Sequence, residues 1–332
     1  MSNAFTQYVK ILGRGKKGSR SLTTEEADHA MSLILNGKVE PEQLGAFWML
    51  IRIREETVEE TVGFTEATRQ FLSEKDPLEF HVDLDWPAYA GKRNELPWFL
   101  LAALALANYG KKVVMHGHAF EGEERIFVNE AIKRLGLSIS HTRQEVKEKV
   151  DETGFAYISL ESIDFTLSDM MDLKYTLGLR SPVNTVVRMM NPFQADHSVH
   201  GVFHRGYDVL HISACEQLND PSVLVFRGGN GEAEVNPERE VTLWKWQKGV
   251  ASWTSWSKAE KEHKRLKHNL DLTRLTDHWS GLQVDQFGEQ AVRQTLASVA
   301  GLMFGIASHE ECLSLADDIW SKRDKSWVSK LI

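Results

Sequence analysis

The stretch Asp85-Trp86-Pro87-Ala88-Tyr89-Ala90-Gly91-Lys92-Arg93-Asn94-Glu95-Leu96-Pro97, the apolar run Trp98 to Ala107 and Lys112-Val113-Val114-Met115-His116-Gly117-His118 decide the fold. Their pattern is strand, loop, helix, strand, loop. Phe80 to Leu84 alternates as the end of a strand does. Pro97 stands where proline is tolerated, in the first turn of a helix. Gly110 closes that helix as a C-terminal glycine does, and Val113-Val114-Met115 is a short apolar strand. Two strands joined this way form half of a parallel α/β sheet. Such sheets take ligands beyond the carboxyl ends of their strands, where helix N-termini favour anions. The loop after Asp85 carries Lys92 and Arg93 beside Gly91, so the function turns on what that loop holds.

Composition limits the answer. The chain has 332 residues, 42% hydrophobic and 26% charged, enough for a sizeable core and for two domains. The net charge of -8 repels nucleic acid and membranes at long range, so any polyanion site must be a local basic patch. The longest apolar run, Trp98 to Ala107, is too short to span a bilayer. Met1 to Phe5 lacks the basic start and apolar core of a secretory signal. Cys215 and Cys312, far apart, fit a reducing compartment better than a disulfide framework. The expected location is the cytoplasm, without membrane contact.

Upstream, the pattern is helical. Phe5 to Leu12 reads as a short helix, followed by the basic turn Gly13-Arg14-Gly15-Lys16-Lys17-Gly18-Ser19-Arg20, either a solvated loop or a phosphate contact. Thr23 with Glu26 and Thr57 with Glu60 form capping boxes, and Pro41 opens a helix between them. Downstream, the expected elements are a helix from Glu124 to Leu135, a strand at Phe155 to Ile158 and a helix from Ser168 to about Gly178. Strands at Val199 to Phe203 and Val223 to Phe226 flank a helix from Tyr207 to Leu218. Trp253 to Glu262 reads as a polar helix, Gln286 to Ile306 as a long one, and the Lys258 to His268 charge run as a solvated face.

Leu22-Thr23-Thr24-Glu25-Glu26-Ala27, Asn36-Gly37, Glu42 to Phe47, Leu50 to Arg54 and Glu55 to Gly63 resemble the helical domain of anthranilate phosphoribosyltransferases, glycosyltransferase family 3. Leu177-Gly178-Leu179-Arg180-Ser181-Pro182-Val183-Asn184 resembles that family's Leu-Gly-x-Arg-Thr-x-x-Asn signature, and Asn191-Pro192 a second short piece. Ile11 to Lys16 and Tyr89-Ala90-Gly91-Lys92-Arg93-Asn94 resemble the YbiB-like subgroup more closely. The likeness weakens after about Trp244. It implies a small all-helical domain over residues 1–76 with a returning segment at about 165–190. It also implies a larger α/β domain with a mostly parallel sheet over 77–164 and 191–332, and a homodimer through the helical domain.

Family members hold phosphoribosyl pyrophosphate with a Gly-Thr-Gly-Gly-Asp loop, a Lys-His-Gly-Asn-Arg motif and an Asp-Glu pair that binds magnesium. Bare backbone amides of the first loop approach the diphosphate, and magnesium prefers such oxygen ligands. Here the first loop reads Ala88-Tyr89-Ala90-Gly91-Lys92-Arg93-Asn94-Glu95, with Glu95 at a helix start where a carboxylate meets exposed amides. The second keeps His116-Gly117 alone, and the third keeps Glu234 with Ala233 before it. Those departures suggest a degenerate diphosphate site, in which Lys92 and Arg93 put mobile cations at the mouth.

The subgroup likeness implies nucleic-acid binding with little sequence preference, single strands favoured and no cofactor required. Candidate phosphate contacts are Lys16, Lys17, Arg20, Gly91, Lys92, Arg93, Asn94, His116, Gly117 and Arg180. Trp86, Tyr89 and Phe120 either stack on bases or pack in the core. The alternative is a magnesium-dependent phosphoribosyltransferase acting on anthranilate or another acceptor, with phosphoribosyl pyrophosphate as ligand. His116 and Arg180 are then the catalytic candidates and Glu234 the metal ligand. Arg180 matches the arginine that contacts the aromatic acceptor, or serves as a domain-bridging salt bridge. His197, His200, His204 and His211 cluster in sequence, but no carboxylate or cysteine completes a zinc spacing.

Overall fold

The computed structural model describes residues 4–330 except 16, 78 and 260–269. The chain opens with four helices: α1 (Thr6–Gly13), α2 (Thr24–Leu35), α3 (Pro41–Arg54) and α4 (Val58–Lys75). Both expected capping boxes form, Thr23 with Glu26 on α2 and Thr57 with Glu60 on α4. Each satisfies two orphan backbone donors and stabilises its helix by about 1 kcal/mol. Glu60 also accepts from the Leu22 backbone N–H at 2.9 Å, which ties the start of α4 to the approach of α2.

The sheet elements follow as β1 (Leu84–Ala88), α5 (Phe99–Asn108), β2 (Val113–Gly117), α6 (Val128–Arg134), α7 (Arg143–Thr153) and β3 (Phe155–Ser159). Three helices, α8 (Leu160–Ile163), α9 (Phe165–Leu177) and α10 (Val183–Met189), then return to the helical layer. Leu160, Leu167, Met170, Met171, Val183 and Val186 share one apolar core with Phe5, Phe47, Trp48 and Phe64 of the first helices. The chain goes back to the sheet through β4 (His197–Val202), α11 (Tyr207–Gln217), β5 (Ser222–Arg227), β6 (Val241–Gln247) and β7 (Val250–Trp256). It ends with α12 (Thr273–Ser280), α13 (Gln286–Met303), α14 (His309–Lys322) and α15 (Trp327–Lys330).

The seven strands run β3-β2-β1-β4-β5-β6-β7, parallel from β3 to β5 and antiparallel over the last two pairings. The central helix α5 is apolar all round and buried on every face, which suits a helix sandwiched between sheet and outer helices. The connections leave β1 toward β2 on one side and reach β4 on the other. A crevice therefore opens beyond the carboxyl ends of β1 and β4, the switch point where α/β sheets bind ligands.

The structure departs from the sequence pattern at several places, first at β1, which runs Leu84–Ala88 through Pro87 where the pattern has a strand ending at Leu84. The helix expected from Glu124 begins at Val128, because Ile126 exchanges both backbone hydrogen bonds with Lys92 at 2.8 Å. Helix α9 starts at Phe165 rather than Ser168, capped by Asp164. Trp253 to Trp256 belong to a strand, not a helix: Lys248 and Gly249, both at positive φ, form the two-residue turn of a hairpin joining β6 to β7. The end of that expected helix, 260–262, and most of the Lys258 to His268 run lie outside the described residues. Helix α7 gave no strong sequence signal, since only Val146 and Val150 of its face are buried.

Candidate functional site

A cleft of about 330 Å³ lies where the β1, β4 and β5 loops meet α3 and the start of α10. Five arginines line it: Arg52, Arg93, Arg125, Arg180 and Arg188. They come from four separate segments, so no single motif announces them. Arg188 is buried on α10, donates to the carbonyls of Asn184 and Gly201, and is pushed down to about 10 by burial. Arg125 donates to the Ala90 carbonyl at 2.6 Å. Glu123 sits among Lys174, Arg125 at 3.1 Å and Arg180 at 3.7 Å. Burial would raise the Glu123 carboxyl, but Lys174, Arg180 and Arg125 outweigh it and hold the group below its ordinary value. Exposed Arg93 makes no hydrogen bond or ion pair among the described residues.

Next to the cleft, the loop after β1 is already occupied by carboxylates. The Glu232 Oε1 oxygen accepts from the backbone N–H groups of Ala90 at 2.8 Å and Gly91 at 2.5 Å. Gly91 holds φ +69°, the left-handed conformation that turns its amide toward the same oxygen as its neighbour's. Two residues on, Glu234 accepts from Phe99 N–H at 3.0 Å, at the N-terminus of α5, and pairs with Lys92. Both backbone anion positions of this loop are thus filled by one neighbouring segment. Burial raises the Glu232 carboxyl, while the Gly91 amide and Arg188 oppose that rise.

Beneath the cleft a buried polar chain crosses three strands. The Tyr89 hydroxyl lies 2.6 Å from His116 Nδ1, and His116 Nε2 lies 2.9 Å from Asp85. Ser198 donates to the other Asp85 oxygen at 2.8 Å. His200 Nε2 is 3.1 Å from Ser198 Oγ, and His211 Nδ1 is 3.3 Å from His200 Nδ1. Ser198 donates to Asp85, so along the arm through His200 to His211 one assignment with neutral rings satisfies every link, each proton pointing toward Asp85. Burial pushes His200 down and His211 to about 3, so both rings are neutral at physiological pH.

The sequence-derived candidates divide sharply. Lys92 is 2% exposed and ion-paired; it is not a mobile cation at the mouth. Arg93 and Arg180 line the cleft, while exposed Asn94 faces a neighbouring cavity beside Arg227 and Arg239. His116 is fully buried within the polar chain, which removes it from contact with a ligand in this arrangement. Gly117 is required by close strand approach, since a Cβ there would lie 2.3 Å from the Ala88 carbonyl oxygen. Lys16 lies outside the described residues. Lys17 is exposed away from the cleft lining, and Arg20 is paired with Glu26 at 2.6 Å. Trp86, Tyr89 and Phe120 are core residues and cannot stack on bases. Glu95 is buried, and at the helix start it is Glu234 that meets the Phe99 amide. Both Glu234 oxygens are taken, by an ammonium and an amide, and residue 233 is alanine, so this donor set does not fit magnesium. Among the described residues the clustered histidines form no metal-ligand set; the group whose ligand atoms converge is His81, Asp83 and Asp196, with Lys111 at 3.8 Å from Asp83.

Sequence reading gave no role to Glu232, Arg52, Arg125 or Arg188, and weighed His211 only within a histidine cluster. Only Glu232 carried a local signal, two residues from a recognised motif position.

Residues 6–72 match the model of the helical bundle domain of the glycosyl transferase family. The Escherichia coli protein YbiB is 24% identical over 238 residues, 71% of this chain and 74% of that protein. An anthranilate phosphoribosyltransferase of Methylocella silvestris is 27% identical over 221 residues, 67% of this chain and 62% of that enzyme. The Saccharomyces cerevisiae anthranilate phosphoribosyltransferase, solved with PRPP and Mg, superposes with a TM-score of 0.79 at 14% identity, covering 100% of this chain and 98% of that one. Among the described residues no helix is long and apolar enough to cross a membrane.

Proposed function

We propose that this chain, an anthranilate phosphoribosyltransferase-like protein of the glycosyl transferase family, uses its arginine-lined cleft to hold the phosphates of a single-stranded nucleic acid without sequence preference. The observation that carries the reading is the loop after β1. Its two anion positions are spent on Glu232 and Glu234, while Arg93, Arg125 and Arg180 stay in the cleft wall. A diphosphate would have to expel two buried carboxylates, one of them ion-paired. A phosphodiester at the cleft meets arginine forks instead, which suit phosphate oxygens. The reading includes a cytoplasmic homodimer paired through the helical domain, as in the family, and no required cofactor.

The test is a titration of labelled single-stranded DNA at several salt concentrations. The logarithm of affinity should fall linearly with the logarithm of salt, by about 0.7 per phosphate contacted. Absence of binding at low salt removes the reading.

The transferase alternative is favoured by the yeast enzyme's complex with PRPP and Mg on the same fold, and by Arg180 in the cleft. Its test is magnesium-dependent consumption of phosphoribosyl pyrophosphate with anthranilate as acceptor. The filled loop leads us to expect neither turnover nor thermal protection by that ligand.

A further inference from the structure

The cleft is not uniformly cationic. Three acceptors line it beside the arginines. Glu56 carries a carboxylate that Thr185 and Tyr207 already hydrogen-bond, at 2.9 and 3.2 Å, which fixes its position. Asn184 donates through Nδ2 to the Ser181 carbonyl at 3.3 Å, and this orientation leaves its Oδ1 as an acceptor without a partner. His211 lines the cleft with Nδ1 engaged inward by His200, so Nε2 is the polar atom it can offer a ligand. The buried chain ending at Asp85 sets that nitrogen's character: with every proton directed inward, His211 Nε2 carries a lone pair. Ser181 Oγ, on a residue 6% exposed, is a further cleft-lining polar atom without a partner. A phosphodiester or a bare carboxylate satisfies arginines but has no proton for these acceptors. A buried acceptor left unpaired discriminates against a ligand that cannot donate to it.

We infer that the cleft selects a ribose phosphate with a free 2′-hydroxyl, and therefore prefers an RNA strand to DNA. The arginines take the phosphate. The sugar hydroxyl, the group that separates RNA from DNA, gives its one proton to His211 Nε2, and Glu56 and Asn184 border that position. This inference rests on the nucleic-acid reading above.

The experiment compares twelve-residue oligoadenylate and oligodeoxyadenylate binding to the full chain, with ribose 5-phosphate and 2-deoxyribose 5-phosphate as competitors. RNA should bind roughly tenfold more tightly, the scale of one hydrogen bond to an otherwise unpaired buried acceptor. The ratio should fall toward one in His211→Phe. Competition by ribose 5-phosphate but not its deoxy form assigns the preference to a single sugar phosphate rather than to strand shape. Nitrogen-15 spectra of the imidazoles in the wild-type protein should show His211 Nε2 unprotonated; a protonated Nε2 overturns the inference without any variant. Equal affinity for the two strands also overturns it while leaving the nucleic-acid reading intact. Failure of both strands to bind removes the two together.

Discussion

Lys92 and Arg93 are neighbours in sequence and opposites in circumstance. Lys92 points into the protein, buried against Glu234, in a region where every charge has a partner and the backbone amides are capped by Glu232. Arg93 points into a cleft whose other cations are held by carbonyls, by shared Glu123 or by long contacts. The first region is a closed electrostatic unit that serves the fold. The second keeps unspent charge and unpaired acceptors, which is what a binding surface requires. Charge identity in a motif therefore does not tell whether that charge is available; burial and pairing do.

The sharpest way to break this contrast is at Lys92. Lys92→Ala leaves Glu234 buried without its ammonium and should destabilise the fold on the order of 3–5 kcal/mol, read by denaturant unfolding. Arg93→Ala should change stability by less than about 0.5 kcal/mol. Equal effects at both positions would erase the distinction. Next in size, Arg93→Ala with Arg180→Ala should weaken oligonucleotide binding by about tenfold per arginine. The same pair should reduce the salt slope by about 0.7 for each phosphate that is no longer neutralised.

Glu232 gives a smaller effect with a definite sign. Burial raises its carboxyl above the ordinary 4.5, so between that value and the folded one the native state holds more protons than the unfolded chain. Stability from this group is full below about 4.5 and declines as pH rises through the folded value. Glu232→Gln should flatten that decline in unfolding experiments across the acid range. The smallest expected effect is at Glu123. Glu123→Gln releases Arg125 and Arg180 from a competing carboxylate and should tighten oligonucleotide binding a few-fold, about the worth of one partly exposed ion pair. Weaker binding in this variant would mean that Glu123 positions the arginines rather than competes for them.

Much of the architecture was legible because its signals are local. The capping boxes at Thr23 and Thr57, the apolar α5 and the glycines after helices each act within a turn or two. The hairpin of β6 and β7 was misread because its polar, tryptophan-rich strands alternate only weakly, and one of them is largely exposed. The site was less legible for a different reason. Arg52, Arg125, Arg180 and Arg188 converge only after the fold forms, and Glu232 reaches the Gly91 amide across 141 positions of sequence. Arg93 and Arg180 were found because they stand within recognisable motifs. Lys92 was found in the same way and misassigned, since sequence cannot reveal that Glu234 lies against it.

The path by which the helical layer is completed has a consequence during synthesis. Its apolar core joins Phe5 to Leu72 with Leu160 to Met190, and the first three parallel strands lie between them in the chain. A nascent chain leaving the ribosome exposes Phe47, Trp48 and Phe64 well before Met170 and Val186 have been translated. The opening helices must wait, partly uncovered, for about ninety residues of intervening polypeptide, an interval in which chaperone capture or self-association competes with folding.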